Sequence, residues 1–125
     1  MELCNIFEIE GMEMPAGRRT RVMIGQNGAL KGDKFCQGYV VVYPGGTVPA
    51  HEHETVESYT ILKGEGELTV DGEVRKVKAG DYTFIPPMLS HALANTGEED
   101  LHMMFVYAPS VVVDHWAQEQ SGELK

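Results

Sequence analysis

The chain lacks any apolar run near the ~20 residues that a bilayer-spanning helix requires, so no segment of its 125 residues reads as a helical membrane span. It is also poor in positive charge. Ten Lys and Arg against nineteen Asp and Glu leave a formal net charge of −9, and a phosphate backbone or an anionic membrane needs clustered cations to replace its counterions. Nucleic acid and membrane are therefore not expected partners. The one dense basic group is Arg18, Arg19 and Arg21, too small for such a face; it reads as solvated or paired with surface carboxylates, or as an anchor for a substrate carboxylate. Cysteine is scarce as well: Cys4 and Cys36 form no CxxC pair, which argues against a redox or zinc-knuckle motif and for reduced thiols. The first residues show neither the basic start nor the apolar stretch of a secretory signal, so the expected location is cytoplasmic. Long stretches of helical period, internal repeats and linkers are missing too, and the length suits one domain.

What is present is a succession of short β-prone runs punctuated by Gly, Asp and Pro. Strands are expected at 39–43, 58–62, 67–70, 73–78, 82–85, 91–94 and 101–107. Asp71-Gly72 between two alternating runs predicts a tight hairpin, because both central residues must tolerate positive φ. Roughly eight to ten short strands at this spacing imply an all-β sandwich, jelly roll or barrel. Residues 6–30 are less patterned and are expected to supply edge strands able to pair with a second subunit. The segment 111–120, which holds Trp116, is open to either a helical turn or a trailing strand.

Within this frame His51-Glu52-His53 is the most informative tripeptide. In an extended chain residues two apart point to the same side, so both imidazoles can reach one ion. Glu57 follows near the start of the next strand, and His91 opens a later one. Three imidazoles and a carboxylate suit Fe, Mn, Ni, Cu or Zn and, in an octahedral arrangement, leave two adjacent positions open. His-x-His also occurs by chance on solvated strands; the surrounding Gly and Pro positions decide between the two.

Those positions carry a family resemblance. Gly45 to Gly64 reads G-x5-H-x-H-x3-E-x6-G and resembles the first cupin motif at every defining position; Gly80 to Asn95 reads G-x5-P-x-M-x2-H-x3-N and is similar to the second. The one departure is Met88, which stands where the family usually has glycine. The resemblance implies a double-stranded β-helix, the cupin or jelly-roll barrel, with one divalent transition metal per chain held by His51, His53, Glu57 and His91. It also implies a small-molecule substrate or ligand and a homodimer. Gly64 and Gly80 suit tight turns, and Pro86 suits a strand end that needs no ladder donor. Met88 is read either as a thioether at the pocket entrance or as a solvent-facing residue.

Among the remaining candidates, Tyr59 shares parity with Glu57 and is expected to point into the barrel, where its hydroxyl can meet a ligand. Glu57 and Tyr59 are thus the candidate catalytic residues. His102 is expected to be a packed residue with a backbone partner, and His115 to be exposed. Tyr39, Tyr43, Phe84, Met103 and Phe105 are expected in the core, and Cys36 as a buried inert thiol. Fold decides little about reaction here. A metal-dependent enzyme acting on a small hydroxy acid, keto acid or sugar derivative, an iron dioxygenase and a non-catalytic binding barrel all fit these residues.

Overall fold

In the computed structural model, which describes residues 1–110 and 115–124, eleven strands form two antiparallel sheets apart from one short parallel pair. After a 3-10 turn at Ile6–Glu8 come β1 (Met12–Met14), β2 (Arg18–Gly25), β3 (Leu30–Lys31), β4 (Cys36–Val42), β5 (Thr47–His51) and β6 (Val56–Lys63). Then follow β7 (Glu65–Val70), β8 (Glu73–Lys78), β9 (Tyr82–Ile85), β10 (His91–Ala94), β11 (Leu101–Ala108) and a helix, α1 (His115–Ser121). The larger sheet runs β1-β2-β4-β11-β6-β9, with β3 beside β2; the smaller runs β5-β10-β7-β8. This is the all-β jelly-roll barrel that the strand pattern implies.

Alternation sets the two faces. Along β11, Leu101, Met103, Phe105 and Tyr107 are buried while their neighbours are half-buried, and β6 turns Glu57, Tyr59 and Ile61 inward in the same way. Period-2 patterning with one buried face fixes register, since a one-residue slip would expose the whole apolar set. The inner faces of the two sheets, with Val42, Leu93 and Leu101 completely or almost completely buried, form the core.

The turns follow their chemistry. Asp71 and Gly72 take φ of 50° and 82°, as a two-residue hairpin demands. Gly64 sits at φ +88°, where an added Cβ would lie 2.8 Å from the Asp100 carbonyl oxygen. Met88 takes φ +65°, so the turn keeps the left-handed conformation of the glycine it replaces. Its side chain is 50% exposed.

Four expectations about placement are corrected, the first being Tyr43, which is half-buried just past β4 and not in the core, its hydroxyl donating to Glu13 Oε1. Residues 6–30 do not supply edge strands alone, because β2 lies inside its sheet between β1 and β4, while β1 and the short β3 lie at its margin. Phe84 is 59% exposed rather than core, because it points outward from β9, opposite Ser58. His102, half-buried, pairs with a side chain and not with backbone: its Nδ1 lies 2.5 Å from the Tyr39 hydroxyl. Cys36 is buried and Cys4 half-buried, both free thiols, and burial pushes the Cys36 thiol up. Of the C-terminal segment, 115–121 is helical, whereas 111–114 lie outside the described residues.

Candidate metal centre

Three strand termini and one connection converge at one mouth of the barrel. His51 ends β5, His91 opens β10 directly opposite it in register, Glu57 lies at the start of β6, and His53 stands in the connection between β5 and β6. The resemblance-based ligand set is therefore brought together: His51, His53, Glu57 and His91 each offer one ligand atom, all within 4.8 Å of one another. The Met88 turn ties the two motifs, its N–H donating to the His53 carbonyl at 2.8 Å.

The orientation of each ring is set from behind. His51 Nδ1 donates to the Pro49 carbonyl at 2.7 Å and His91 Nδ1 to the Leu89 carbonyl at 2.9 Å, and a carbonyl can only accept. Both rings must then carry their proton on Nδ1, which turns Nε2 toward the centre. His53 has Thr55 Oγ1 2.5 Å behind its Nδ1. Partners of this kind fix tautomer and ring angle for metal ligation. In front, Glu57 Oε1 lies 2.9 Å from His91 Nε2 and 3.2 Å from His53 Nε2.

Nitrogen lone pairs and a carboxylate oxygen thus converge, an arrangement that only protons or a cation between them reconcile. Burial, reinforced by the charge of His91, lowers His51 to about 4, so the ring is neutral near pH 7, as a ligand must be. Burial acts to raise Glu57, but the hydrogen bonds and charges of His53 and His91 outweigh it and hold the carboxyl below its usual value. The residues fit a borderline divalent metal, with nitrogen and carboxylate donors that suit Fe, Mn, Ni, Zn or Cu.

Tyr59 points into the barrel as its parity implies. It is 3% exposed, its ring meets His91 edge-on at 5.9 Å between centroids, and burial followed by the Glu57 charge raises its hydroxyl well above the ordinary value. It is therefore a neutral hydroxyl group beside the centre.

The chain matches the family model "Cupin domain" over residues 38–107, more than half its length. It belongs to the cupin family. Among curated relatives, this cupin is 38% identical over 73 residues to a 5-nitrosalicylic acid 1,2-dioxygenase from Bradyrhizobium, covering 58% of this chain and 35% of that protein. It is 42% identical over 64 residues to an oxalate-binding protein from Thermotoga maritima, covering 50% and 53%. The chain thus spans about a third to a half of the length of these two relatives. A cupin 2 conserved barrel domain protein from Salinispora arenicola superimposes with a TM-score of 0.71 at 25% identity, covering 94% of this chain and 97% of that one.

Two features of the cupin's mouth escape the motifs. His115, expected at the surface, is only 8% exposed: its ring stacks on His51 at 3.8 Å and 15°, and burial together with its neighbouring imidazoles lowers it to about 2. Arg18, expected in a solvated cluster, is 1% exposed. Its Nη1 donates to Glu119 Oε2 at 2.8 Å and to the Thr47 carbonyl at 3.1 Å, and its Nη2 lies 2.7 Å from Glu119 Oε1. Of the basic group only Arg19, paired with Glu13 at 2.8 Å, follows the expectation of a surface ion pair. The signal for both misses was the spacing of His115, Trp116 and Glu119, which can share one side of a helix. Seven helical residues are too few for that period to stand out.

Proposed function

We propose that His51, His53, Glu57 and His91 bind one divalent transition metal per chain (Fe, Mn, Ni, Zn or Cu), and that this cupin is a metal-dependent enzyme acting on a small oxygen-rich molecule. The observation that carries this is the convergence of four ligand atoms within 4.8 Å, drawn from three strands and a connection, with two rings locked from behind by backbone carbonyls. A metal bound there supplies Lewis acidity toward a hydroxy acid, keto acid or sugar derivative, which suits isomerase or lyase chemistry. Around it, Glu57 is the residue able to accept a proton. Tyr59 offers a hydroxyl from a dry environment, suited to hydrogen-bonding a substrate oxygen. Glu57 and Tyr59 are the proposed catalytic pair.

A dioxygenase reading draws on one specific observation, the 38% identity to a 5-nitrosalicylic acid 1,2-dioxygenase; a non-catalytic binding barrel draws on the 42% identity to an oxalate-binding protein. We further propose a cytoplasmic homodimer of one cupin domain per chain. The outward residues Leu62, Tyr82 and Phe84, 46%, 68% and 59% exposed, support a partnered outer face on the larger sheet.

The test is elemental analysis of protein purified without chelators, beside His53→Ala, followed by assay of small hydroxy and keto acids with and without oxygen uptake. About one metal per chain, lost in His53→Ala, is expected. Turnover surviving unchanged in His51→Ala and His91→Ala would sink the metal-dependent reading of the enzyme. Substrate loss tied to oxygen uptake replaces Lewis-acid chemistry with the dioxygenase, and tight binding without product favours the binding barrel.

A further inference from the structure

Helix α1 fills the interior beside the metal centre with its own polar groups. The space bounded by Arg18, Thr20, His51, Glu57, Tyr59 and His115 is about 20 Å³, room for a single water. Small-molecule sites need roughly 300 Å³ or more. What occupies the room is α1: His115 on His51, Trp116 edge-on to Phe105 at 5.9 Å, and Glu119 on Arg18.

The Arg18–Glu119 contact has the form of a bound carboxylate. Nη1 donates to Oε2 at 2.8 Å and the Ala16 N–H donates to the same oxygen at 3.1 Å, while Nη2 and Oε1 stand 2.7 Å apart as an ion pair without hydrogen-bond alignment, so the fork by which Arg selects carboxylates is only half engaged. As a pure stability device it is a poor choice, because a buried ion pair roughly balances its own desolvation. Its surroundings are also unfinished. Thr20 and His115 line the same space, and their Oγ1 and Nδ1 are buried with no hydrogen-bond partner among the described residues. Native interiors rarely leave such atoms unsatisfied, and these two stand where a polar ligand would satisfy them.

We propose that Arg18, with Thr20 and His115, forms a carboxylate subsite adjoining the metal centre, and that Glu119 is its internal occupant, displaced by the carboxylate of the ligand. His115 and Glu119 are four residues apart, about 6 Å along a helix. The fitting ligand is therefore a small carboxylic acid that holds its carboxylate on Arg18 and reaches the metal centre with oxygens about that far away. This rests on the metal-dependent reading above, and Arg18 is its specificity-determining residue.

The experiment is calorimetric titration of succinate, and of its uncharged diamide, into wild type, Glu119→Gln and the Arg18→Gln/Glu119→Gln double variant. Metal content is measured beforehand, and the emission of Trp116, the chain's one tryptophan, is followed in parallel. The double variant removes both charges, so it folds even where a single charge left unpaired does not. At least tenfold tighter succinate binding is expected in Glu119→Gln than in wild type, with that gain lost in the double variant, the diamide indifferent throughout, and Trp116 emission shifting as wild type saturates. Equal succinate affinity in Glu119→Gln and the double variant, no binding by Glu119→Gln, or an unmoved Trp116 emission at saturation overturns the proposal. Absence of stoichiometric metal defeats the metal reading alone. The comparison of Glu119→Gln with the double variant is then read in metal-free protein and still decides the role of Arg18.

Discussion

Removing one member of the Arg18–Glu119 pair is predicted to cost far more stability than removing both. Both side chains are 1% exposed, and the other acceptor of Arg18 is the Thr47 carbonyl, which carries no charge. Glu119→Ala therefore leaves a guanidinium in the interior without a counter-charge, a change that costs about 3–5 kcal/mol. Replacing both by apolar residues of similar volume, Arg18→Met with Glu119→Leu, removes the desolvation penalty with the attraction and is predicted to fall within about 1 kcal/mol of wild type or above it. For a chain of 125 residues, an unfolding entropy of about 2.1 cal/mol/K per residue converts the single-variant loss into a fall in Tm of roughly 10–20 °C. The assay is differential scanning calorimetry of the metal-free protein, with both single variants and the double variant forming a cycle. A coupling energy below about 0.5 kcal/mol, near the limit of independent sites, would refute the reasoning, since it would mean that water reaches the pair.

Three further outcomes follow from the site and the turns. Adding Zn or Ni at about 100 times its Kd is predicted to stabilise the protein by about 2.7 kcal/mol, read as a rise in Tm that His53→Ala and His91→Ala abolish; a rise retained in both would place the metal elsewhere. His51 and His115 have folded values depressed to about 4 and about 2, below the ~6.5 of an unfolded imidazole, so the unfolded state binds more protons. Metal-free stability is then complete above about pH 6.5 and falls on acidification at up to about 1.4 kcal/mol per pH unit for each ring, His51 losing its share by about pH 4 and His115 continuing below it; a urea midpoint that does not move between pH 7 and 5 would contradict this. Gly64→Ala meets both a left-handed φ of +88° and the Asp100 carbonyl at 2.8 Å, whereas Gly80→Ala meets only φ +95° with nothing within 4 Å of the added Cβ. Chemical denaturation should give about 1–2 kcal/mol for Gly80→Ala and about 1–3 kcal/mol more for Gly64→Ala; equal losses would show that the carbonyl contact relaxes.

The strands β4 and β6 to β11 and the four candidate ligands were legible in the chain, whereas β1, β2, β3 and β5 were not. Alternation selects a buried face, Asp71-Gly72 selects its turn, and His51, His53, Glu57 and His91 sit at the offsets from Gly and Pro that the cupin motifs show. Even Met88 was legible as a departure, although only the backbone shows that it accepts φ +65°. What surrounds the centre was decided by tertiary structure. Arg18 and Glu119 lie 101 residues apart, and a charge reads as solvated until its counter-charge is seen buried beside it. His115, on a helix of seven residues, looked like a terminal surface histidine until its ring was found on that of His51. Contacts of that separation leave no periodic trace in the chain, since they depend on how α1 closes against the two sheets and not on the spacing of neighbouring side chains.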